Sequence, residues 1–295
     1  MTNPLRLGAG GSLLAVARAR AVAARLGAEL VPVEAGAASD DAVSALRDAL
    51  RAEEVDAIVH ACPAVPPASV EGVVSAAVPK RGDARDAYCA PAGGFDAAPA
   101  GARVGAGTAL RAAQLRHRRP ELAVVPLEGA LETHLGMLDA ADAAHLDGML
   151  ASAADLARLE HTGAVVEPLG LSDWPTAPGQ GALVIETRAG EAKRVAKLDH
   201  RPSRLTTDAE RGVLARLTAV DASLGATLAA TALLDDGLLF LSARLYAPDG
   251  GRPLTSSHAL YPEDARDPAG ELAARVAEEL LAEAGGGSGR AEGTP

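Results

Sequence analysis

The chain has 295 residues, which is longer than one ordinary hydrophobic core, so two or three domains are expected. Hydrophobic residues make up 48% but aromatic residues only 2%, so the cores must consist mainly of Ala, Val and Leu. The net charge of −11 opposes binding to nucleic acids, anionic membranes and polyanionic substrates.

The two cysteines, Cys62 and Cys89, form neither a disulfide framework nor a CxxC metal pair. The N-terminal stretch lacks the charged and apolar regions of a signal peptide, and no apolar run reaches the length needed to span a membrane. We therefore expect a cytoplasmic protein with no metal site and with neither a nucleic acid nor a membrane as partner.

The first hundred residues predict alternating strands and helices. Strand "LRLGAG" is followed by helix "SLLAVARARAVAARLG", which Ser12 opens as N-cap and Gly27 closes. Strand "ELVPVEA", helix "SDDAVSALRDALRAEE" and strand "DAIVHA" come next. This alternation predicts a parallel sheet covered by helices.

A second, similar unit follows between residues 102 and 168. It contains strand "ARVGAG", helix "TALRAAQLRHRR", strand "LAVVPL", helix "ALETHLGMLDAADA", strand "HLDGMLAS" and helix "AADLARLEH". Both units open with a Gly-rich turn before a helix, a place where unpaired N–H groups attract anions. Neither turn is a dinucleotide fingerprint, because Leu13 and Leu110 stand where GxGxxG needs glycine.

The pattern changes after about residue 200. Helix "ERGVLARL", strands "ATLAATALL" and "LLFLSARLY", and the amphipathic helix "GELAARVAEELLAEA" predict a small α+β domain. The tail "GGGSGRAEGTP" predicts a flexible end.

The string "TAPGQGALVIETR" is the most specific in the sequence. Together with "LRLGAGGSLLA", "VDAIVHA", "GARVG", "LRAAQL", "RPELAVVPLEG" and "DAERGVL", it resembles porphobilinogen deaminase, also called hydroxymethylbilane synthase, over nearly the whole chain. The resemblance implies two similar α/β domains like those of type-2 periplasmic binding proteins, and a small α+β C-terminal domain. The expected boundaries are residues 1–82 with 180–198 for domain 1, 83–179 for domain 2, 199–284 for domain 3, and 285–295 for the tail.

The resemblance also implies an enzyme of tetrapyrrole (porphyrin) metabolism, on the route to heme. Members condense four porphobilinogens on a dipyrromethane cofactor held by a cysteine, with a carboxylate to stabilise cationic intermediates and arginines to neutralise substrate carboxylates. The family's "HSMKDVP" corresponds to "HACPAVP", which leaves Pro63 for the lysine and Ala64 for the catalytic aspartate. The cofactor cysteine position falls on Val220 or Asp221. Four further arginine positions of the family hold Gly10, Leu110, Glu128 and His134.

These losses predict that no catalytic residue and no cofactor is present. What remains for a carboxylate-binding cleft is Ser12, His60, Thr108, Arg111, Arg158, Gln180 and Gly181. His60 and Cys62 can share a face of a strand, which leaves a Cys–His site open, but a lone cysteine after an apolar strand is usually a buried apolar residue. The "APGQG" string has a purely structural interpretation as a turn between domains.

Three functions are compatible with these residues. The first is a pseudoenzyme of the family that binds a pyrrole or small carboxylate, with the authentic deaminase as a possible protein partner. The second is a working pyrrole-condensing transferase with an altered site, and the third is a plain carboxylate-binding module.

Overall fold

The computed structural model describes residues 4–34, 39–68, 70–160 and 165–287. Within them lie thirteen strands and seven α-helices. The strands are β1 (Arg6–Ala9), β2 (Glu29–Pro32), β3 (Ala57–Ala61), β4 (Val73–Ala77), β5 (Asp86–Ala90), β6 (Arg103–Ala106), β7 (Ala123–Pro126), β8 (Gly148–Ser152), β9 (Val165–Pro168), β10 (Leu183–Arg188), β11 (Leu228–Asp235), β12 (Leu238–Leu245) and β13 (Leu254–Leu260). The helices are α1 (Leu13–Leu26), α2 (Ser39–Arg51), α3 (Ala109–Arg118), α4 (Leu131–Gly136), α5 (Ala153–Arg158), α6 (Arg201–Val220) and α7 (Pro268–Gly287).

The first sheet has the strand order β2-β1-β3-β10-β4. Strands β1, β2 and β3 are parallel, whereas β10 runs antiparallel to both of its neighbours. One face of the sheet packs on the buried residues of α1, and the other packs on α2 through Leu46 and Leu50. Coverage on both faces explains why β3 is buried along most of its length and begins with three apolar residues.

The second sheet repeats this arrangement with the order β7-β6-β8-β5-β9. Here β5 is the strand that runs antiparallel to its neighbours. The expected fold class is confirmed: there are two similar α/β domains and a smaller third domain. The prediction of parallel sheets is wrong, because each sheet has one reversed strand. The chain enters the second domain through β5 and returns to the first domain through β10, and these are the two reversed strands.

One local prediction is also wrong, and five strands were missed. The helix expected over residues 130–143 ends at Gly136, and the following residues form turns and bends. Strands β4, β5, β9, β10 and β13 were not predicted from the sequence. β5 and β10 are almost entirely buried, so their residues do not alternate between polar and apolar. That alternation is the usual signature by which a strand is recognised in a sequence.

The third domain packs α6 and α7 against the antiparallel sheet β11-β12-β13. Its core contains fully buried leucines, alanines and valines and no aromatic side chain among its buried members. Helix α7 reaches Gly287, so it includes the first residues of the expected tail, and residues 288–295 lie outside the described residues.

Two connecting segments, 78–85 and 169–182, link the first two domains and touch the third. Arg81 in the first segment donates from Nε to the carbonyl of Gln180 in the second at 2.8 Å, and from its backbone N–H to Ser203 Oγ at 2.9 Å. The described helices include none long and apolar enough to cross a membrane. Among the same residues, no group of three or more His, Cys, Asp or Glu side chains could hold a metal ion.

Candidate functional site

The N-termini of α1 and α3 occupy corresponding places in the two α/β domains. Ser12 Oγ accepts a hydrogen bond from the Ala15 N–H at 3.1 Å, and Thr108 Oγ1 accepts one from the Arg111 N–H at 3.2 Å. Both side chains are therefore N-caps, a role that the sequence predicted for Ser12 only. Ser12 is exposed and caps α1 just after β1. Thr108 caps α3, the helix that carries Arg111, just after β6.

Arg111 is held by an internal carboxylate. Its Nη2 lies 2.6 Å from Asp86 Oδ1, and its Nε lies 3.1 Å from the same oxygen. Gln180 donates from Nε2 to Asp86 Oδ1 at 2.9 Å, and Trp174 donates from Nε1 to Oδ2 at 3.2 Å. Asp86 therefore joins Arg111 to the "APGQG" segment, and the guanidinium is already neutralised.

Arg158 is paired in the same way. Its Nη1 lies 2.8 Å from Asp155 Oδ1, one turn earlier on α5, and its Nη2 donates to the carbonyl of Gly181 at 3.2 Å. Asp155 Oδ2 also receives Arg18 Nη2 from α1 of the first domain at 2.9 Å. Burial lowers the pKa of Arg158, Asp155 raises it and Arg18 lowers it, and the result is a pKa below the usual value.

The "APGQG" segment forms the turn that brings these groups together. Gly179 and Gly181 have φ angles of 78° and 81°, a backbone conformation that favours glycine. A Cβ at Gly181 would lie 2.5 Å from the carbonyl oxygen of Asp83, so the glycine also permits close approach of the two connecting segments. The turn thus positions Gln180 beside Asp86.

His60 contacts a different group of side chains, next to α2 of the first domain. It is 5% exposed on β3, and its Nε2 lies 3.4 Å from Glu186 Oε2 on β10. Arg47 of α2 forms two hydrogen bonds to the same carboxylate, at 2.6 and 2.8 Å. The structure therefore brings Arg111, Arg158, Gln180 and Gly181 together and gives His60 a separate buried ion pair as its neighbour.

The positions that differ from the family pattern are occupied by residues with structural roles. Pro63 and Ala64 form a short 3-10 turn after β3, with Pro63 exposed. Leu110 is buried against Ala229 and Tyr246 of the third domain. Gly10 is buried at the end of β1.

The remaining three positions of that set also make local contacts. The buried His134 has its Nε2 2.9 Å from the carbonyl oxygen of the exposed Glu128, so the pair closes a turn before α4. Asp221 is exposed, and its Oδ1 accepts a hydrogen bond from the Ser223 N–H at 2.8 Å. Its carboxylate therefore caps the turn that follows α6.

Both cysteines are buried. Cys62 is 2% exposed and Cys89 is 0% exposed. Burial raises the pKa of the Cys62 thiol, and it raises that of Cys89 to about 11. Arginines lie near both thiols, but neither thiol is exposed as a reactive cysteine is, which agrees with the interpretation of Cys62 as a buried apolar residue.

Sequence reasoning missed Arg18, Asp86 and Asp155, three of the charged residues in the cluster. Arg18 lies in an Ala- and Arg-rich helix, where nothing distinguishes it from Arg20 or Arg25, and its partner is 137 residues away. The spacing of Asp155 and Arg158 on one helix was the available signal, because residues three apart share a helix face.

The sequence matches the model of a family described as "Porphobilinogen deaminase, dipyromethane cofactor binding domain" over residues 5–197. Proteins named porphobilinogen deaminase are similar over most of their length. The Leifsonia xyli subsp. xyli protein is 43% identical, covering 94% of this chain and 92% of that protein. The Thermobifida fusca protein is 34% identical, covering 98% and 99%, and the Nocardia farcinica protein 37% identical, covering 95% and 86%.

Among solved structures, a Candida albicans protein described as having the generic periplasmic binding protein fold matches 77% of this chain. The match covers 76% of the Candida albicans chain, with 11% sequence identity and a TM-score of 0.34.

The family match corrects the expectation that no cofactor belongs to this protein. The matched domain is the one that binds the dipyrromethane cofactor in the family, and it covers residues 5–197 of this chain. The described residues nevertheless fit that group poorly, because both thiols are buried and the arginines of the cluster already pair with Asp86 and Asp155.

The extent of these matches leaves no ambiguity about relationship. The family model covers well over half of the chain, and curated relatives at up to 43% identity cover nearly all of it. The chain belongs to the porphobilinogen deaminase family.

Proposed function

We propose that this protein acts in tetrapyrrole metabolism as a carboxylate-binding member of its family that does not carry out the usual condensation of porphobilinogen. The observation that carries the proposal is Ala64, in the turn that follows β3. The family resemblance assigns the proton-managing carboxylate to this position. A methyl group neither transfers a proton nor stabilises a cationic pyrrole.

The carboxylates that pair with Arg18, Arg111 and Arg158 do not replace it. Asp86 accepts hydrogen bonds from Arg111, Gln180 and Trp174, which occupy both of its oxygens. Asp155 lies between Arg18 and Arg158. Both carboxylates already accept hydrogen bonds from guanidinium groups of the protein, so neither is free to act on a bound substrate.

The charge of the cluster supports binding of a small anion. Arg18, Arg111 and Arg158 face two carboxylates, which leaves one positive charge. A single excess charge suits one carboxylate group, held by the two-pronged geometry of a guanidinium. It does not suit a growing tetrapyrrole, whose carboxylates accumulate in a protein with a net charge of −11.

A working transferase with an altered site is the second candidate. The observation in its favour is the 43% identity over 94% of the chain to a protein named porphobilinogen deaminase. In that case another group would have to supply the carboxylate that is missing at Ala64.

The two candidates differ in turnover. The mass of the purified full-length chain is first measured by intact-mass spectrometry. The chain is then incubated with porphobilinogen, and the loss of porphobilinogen is followed with Ehrlich's reagent, with an active deaminase as the positive control. We expect no sustained loss of porphobilinogen. Sustained turnover would overturn the proposal in favour of the altered transferase.

Binding is measured separately by calorimetry with porphobilinogen and with succinate. We expect saturable binding that Arg158→Gln weakens and that Arg51→Gln leaves unchanged, because Arg51 forms an exposed pair with Asp48 on α2, outside the cluster. Absence of binding of both compounds by the unmodified protein would contradict a carboxylate-binding role.

A further inference from the structure

Arg18 and Asp155 form a direct ion pair between the first two domains. Arg18 Nη2 lies 2.9 Å from Asp155 Oδ2, and Arg18 Nε lies 3.3 Å from Oδ1. Both side chains are less than one-fifth exposed. This two-pronged contact joins α1 of the first domain to α5 of the second.

Asp155 is shared by a second guanidinium. Arg158 Nη1 lies 2.8 Å from Asp155 Oδ1, so the carboxylate is placed between a cation of domain 1 and a cation of domain 2. Within the part of the chain that the structure describes, Asp155 is the carboxylate paired with Arg18 and with Arg158. Two guanidiniums and one carboxylate leave a charge of +1 among side chains that are mostly buried.

The geometry of this group is that of an occupied carboxylate site. A ligand carboxylate entering between the domains would require the same N–H groups that Asp155 now uses. Separation of the domains would likewise require the Arg18–Asp155 pair to break. The contacts of this one side chain would therefore have to break both for a ligand to enter and for the domains to separate.

We propose that Asp155 is an internal carboxylate that latches the two α/β domains together and that a carboxylate ligand binds by displacing it from Arg18 and Arg158. The ligand part of this inference rests on the proposed carboxylate-binding function. The latch itself does not, because it is a contact of the protein with itself.

The test variant is Asp155→Asn, which keeps the shape of the side chain and removes its charge. Spin labels placed at the exposed positions Arg25 and Arg118 report the distance between domains, with both native cysteines buried. We expect a longer and broader distance distribution for the ligand-free variant. We also expect about tenfold tighter binding of succinate, within the usual range for coupled equilibria.

Two further variants separate the possible causes. Arg18→Gln breaks the bridge but leaves Asp155 on Arg158, so it should lengthen the interdomain distance without tightening succinate binding. Asp48→Asn removes the same charge from an exposed pair on α2 and should change neither measurement. If Asp155→Asn does not fold, Arg18→Gln still tests whether the ion pair holds the two domains together.

The outcomes are distinguishable from failure of the proposed function. An unchanged distance distribution in both Asp155→Asn and Arg18→Gln would overturn the latch. Equal or weaker succinate binding by Asp155→Asn would overturn displacement. If neither the unmodified protein nor the variant binds succinate or porphobilinogen, the carboxylate-binding function fails, and a lengthened distance would still support the latch.

Discussion

The carboxylate of Glu210 receives both terminal nitrogens of Arg81, with Nη1–Oε1 and Nη2–Oε2 distances of 2.7 and 3.0 Å, and is itself 0% exposed. It also accepts hydrogen bonds from the backbone N–H groups of Gly179 and Ala232 at 2.7 and 2.8 Å. Glu210 belongs to α6 of the third domain, and Arg81 and Gly179 belong to the two connecting segments. One ion pair therefore ties all three domains together.

The first prediction concerns this pair. Glu210→Gln should lower the free energy of unfolding by about 3–5 kcal/mol, because it leaves the charge of Arg81 buried without a partner. Urea denaturation followed by circular dichroism measures the change. The control Glu271→Gln breaks an exposed pair with Arg275 and should cost less than about 0.5 kcal/mol. A similarly small loss in the free energy of unfolding for both variants would contradict the assignment of Glu210 as the residue that connects the three domains.

The second prediction uses two glycines that share a backbone conformation. Gly179 and Gly72 have φ angles of 78° and 76°. A Cβ at Gly179 would lie 2.7 Å from Cys62 Sγ, whereas a Cβ at Gly72 would meet no atom within 4 Å. Gly72→Ala should therefore cost about 1 kcal/mol from backbone strain alone, and Gly179→Ala about 1–3 kcal/mol more from overpacking.

A double variant checks the cause. Cys62→Ala removes the sulfur that the new methyl group would meet, so it should recover part of the loss in Gly179→Ala and none of that in Gly72→Ala. Thermal unfolding is the measurement. Equal losses for the two glycine variants would show that only the backbone conformation matters.

The local parts of the structure were predictable because their causes are local. Ser12 and Gly27 fix the ends of α1, and the side-chain cap and the left-handed Gly27 are both present. The "APGQG" turn follows from its glycines and proline. The same holds for the alternation of strands and helices that defines the two α/β domains.

What the sequence could not predict depends on contacts between distant residues. Strand β10 is buried on both faces, so its pattern does not distinguish it from a core helix segment, and its place in the first sheet follows from the return of the chain. The neutralisation of Arg111 by Asp86 and of Arg158 by Asp155 requires the fold. Both arginines were predicted as cleft cations, yet their partners decide how much charge they offer a ligand.

The third prediction concerns Leu110, where the family resemblance places an arginine. Leu110 is 3% exposed and packs on Ala113, Ala229 and Tyr246. Leu110→Ala should cost about 2–5 kcal/mol through the cavity it leaves, and Leu13→Ala, at a position 69% exposed, should cost little. Leu110→Arg should destabilise the protein at least as much, because it buries a charge without a partner.

This prediction bears on function. If Leu110→Arg folded with unchanged stability in urea, the side chain would have to reach solvent in the cleft. A single substitution would then restore the arginine of the family without loss of stability. A large loss of stability would instead show that the contact between domains 2 and 3 now depends on an apolar residue at this position.

The last prediction concerns pH and the buried pair of Arg47 and Glu186. Burial raises the pKa of Glu186, but the two hydrogen bonds from Arg47 and the proximity of His60 outweigh it and hold the pKa at about 2, below the usual 4.5. A carboxyl whose pKa is lower in the folded state stabilises the fold above pH 4.5, and this contribution is lost as the pH falls from there towards 2. The shift corresponds to about 3 kcal/mol at neutral pH.

Glu186→Gln tests this. The variant should be less stable than the unmodified protein at pH 7. The difference should shrink as the pH falls below 4.5, because Glu186 of the unfolded chain then takes up a proton while the folded chain keeps its carboxylate, which favours unfolding of the unmodified protein only. Urea unfolding between pH 3 and 7 measures both curves, with the exposed Glu71→Gln as the control that should track the unmodified protein. A stability difference that stays constant across this range would mean that Glu186 contributes through packing, since only the ionised carboxylate gains from Arg47.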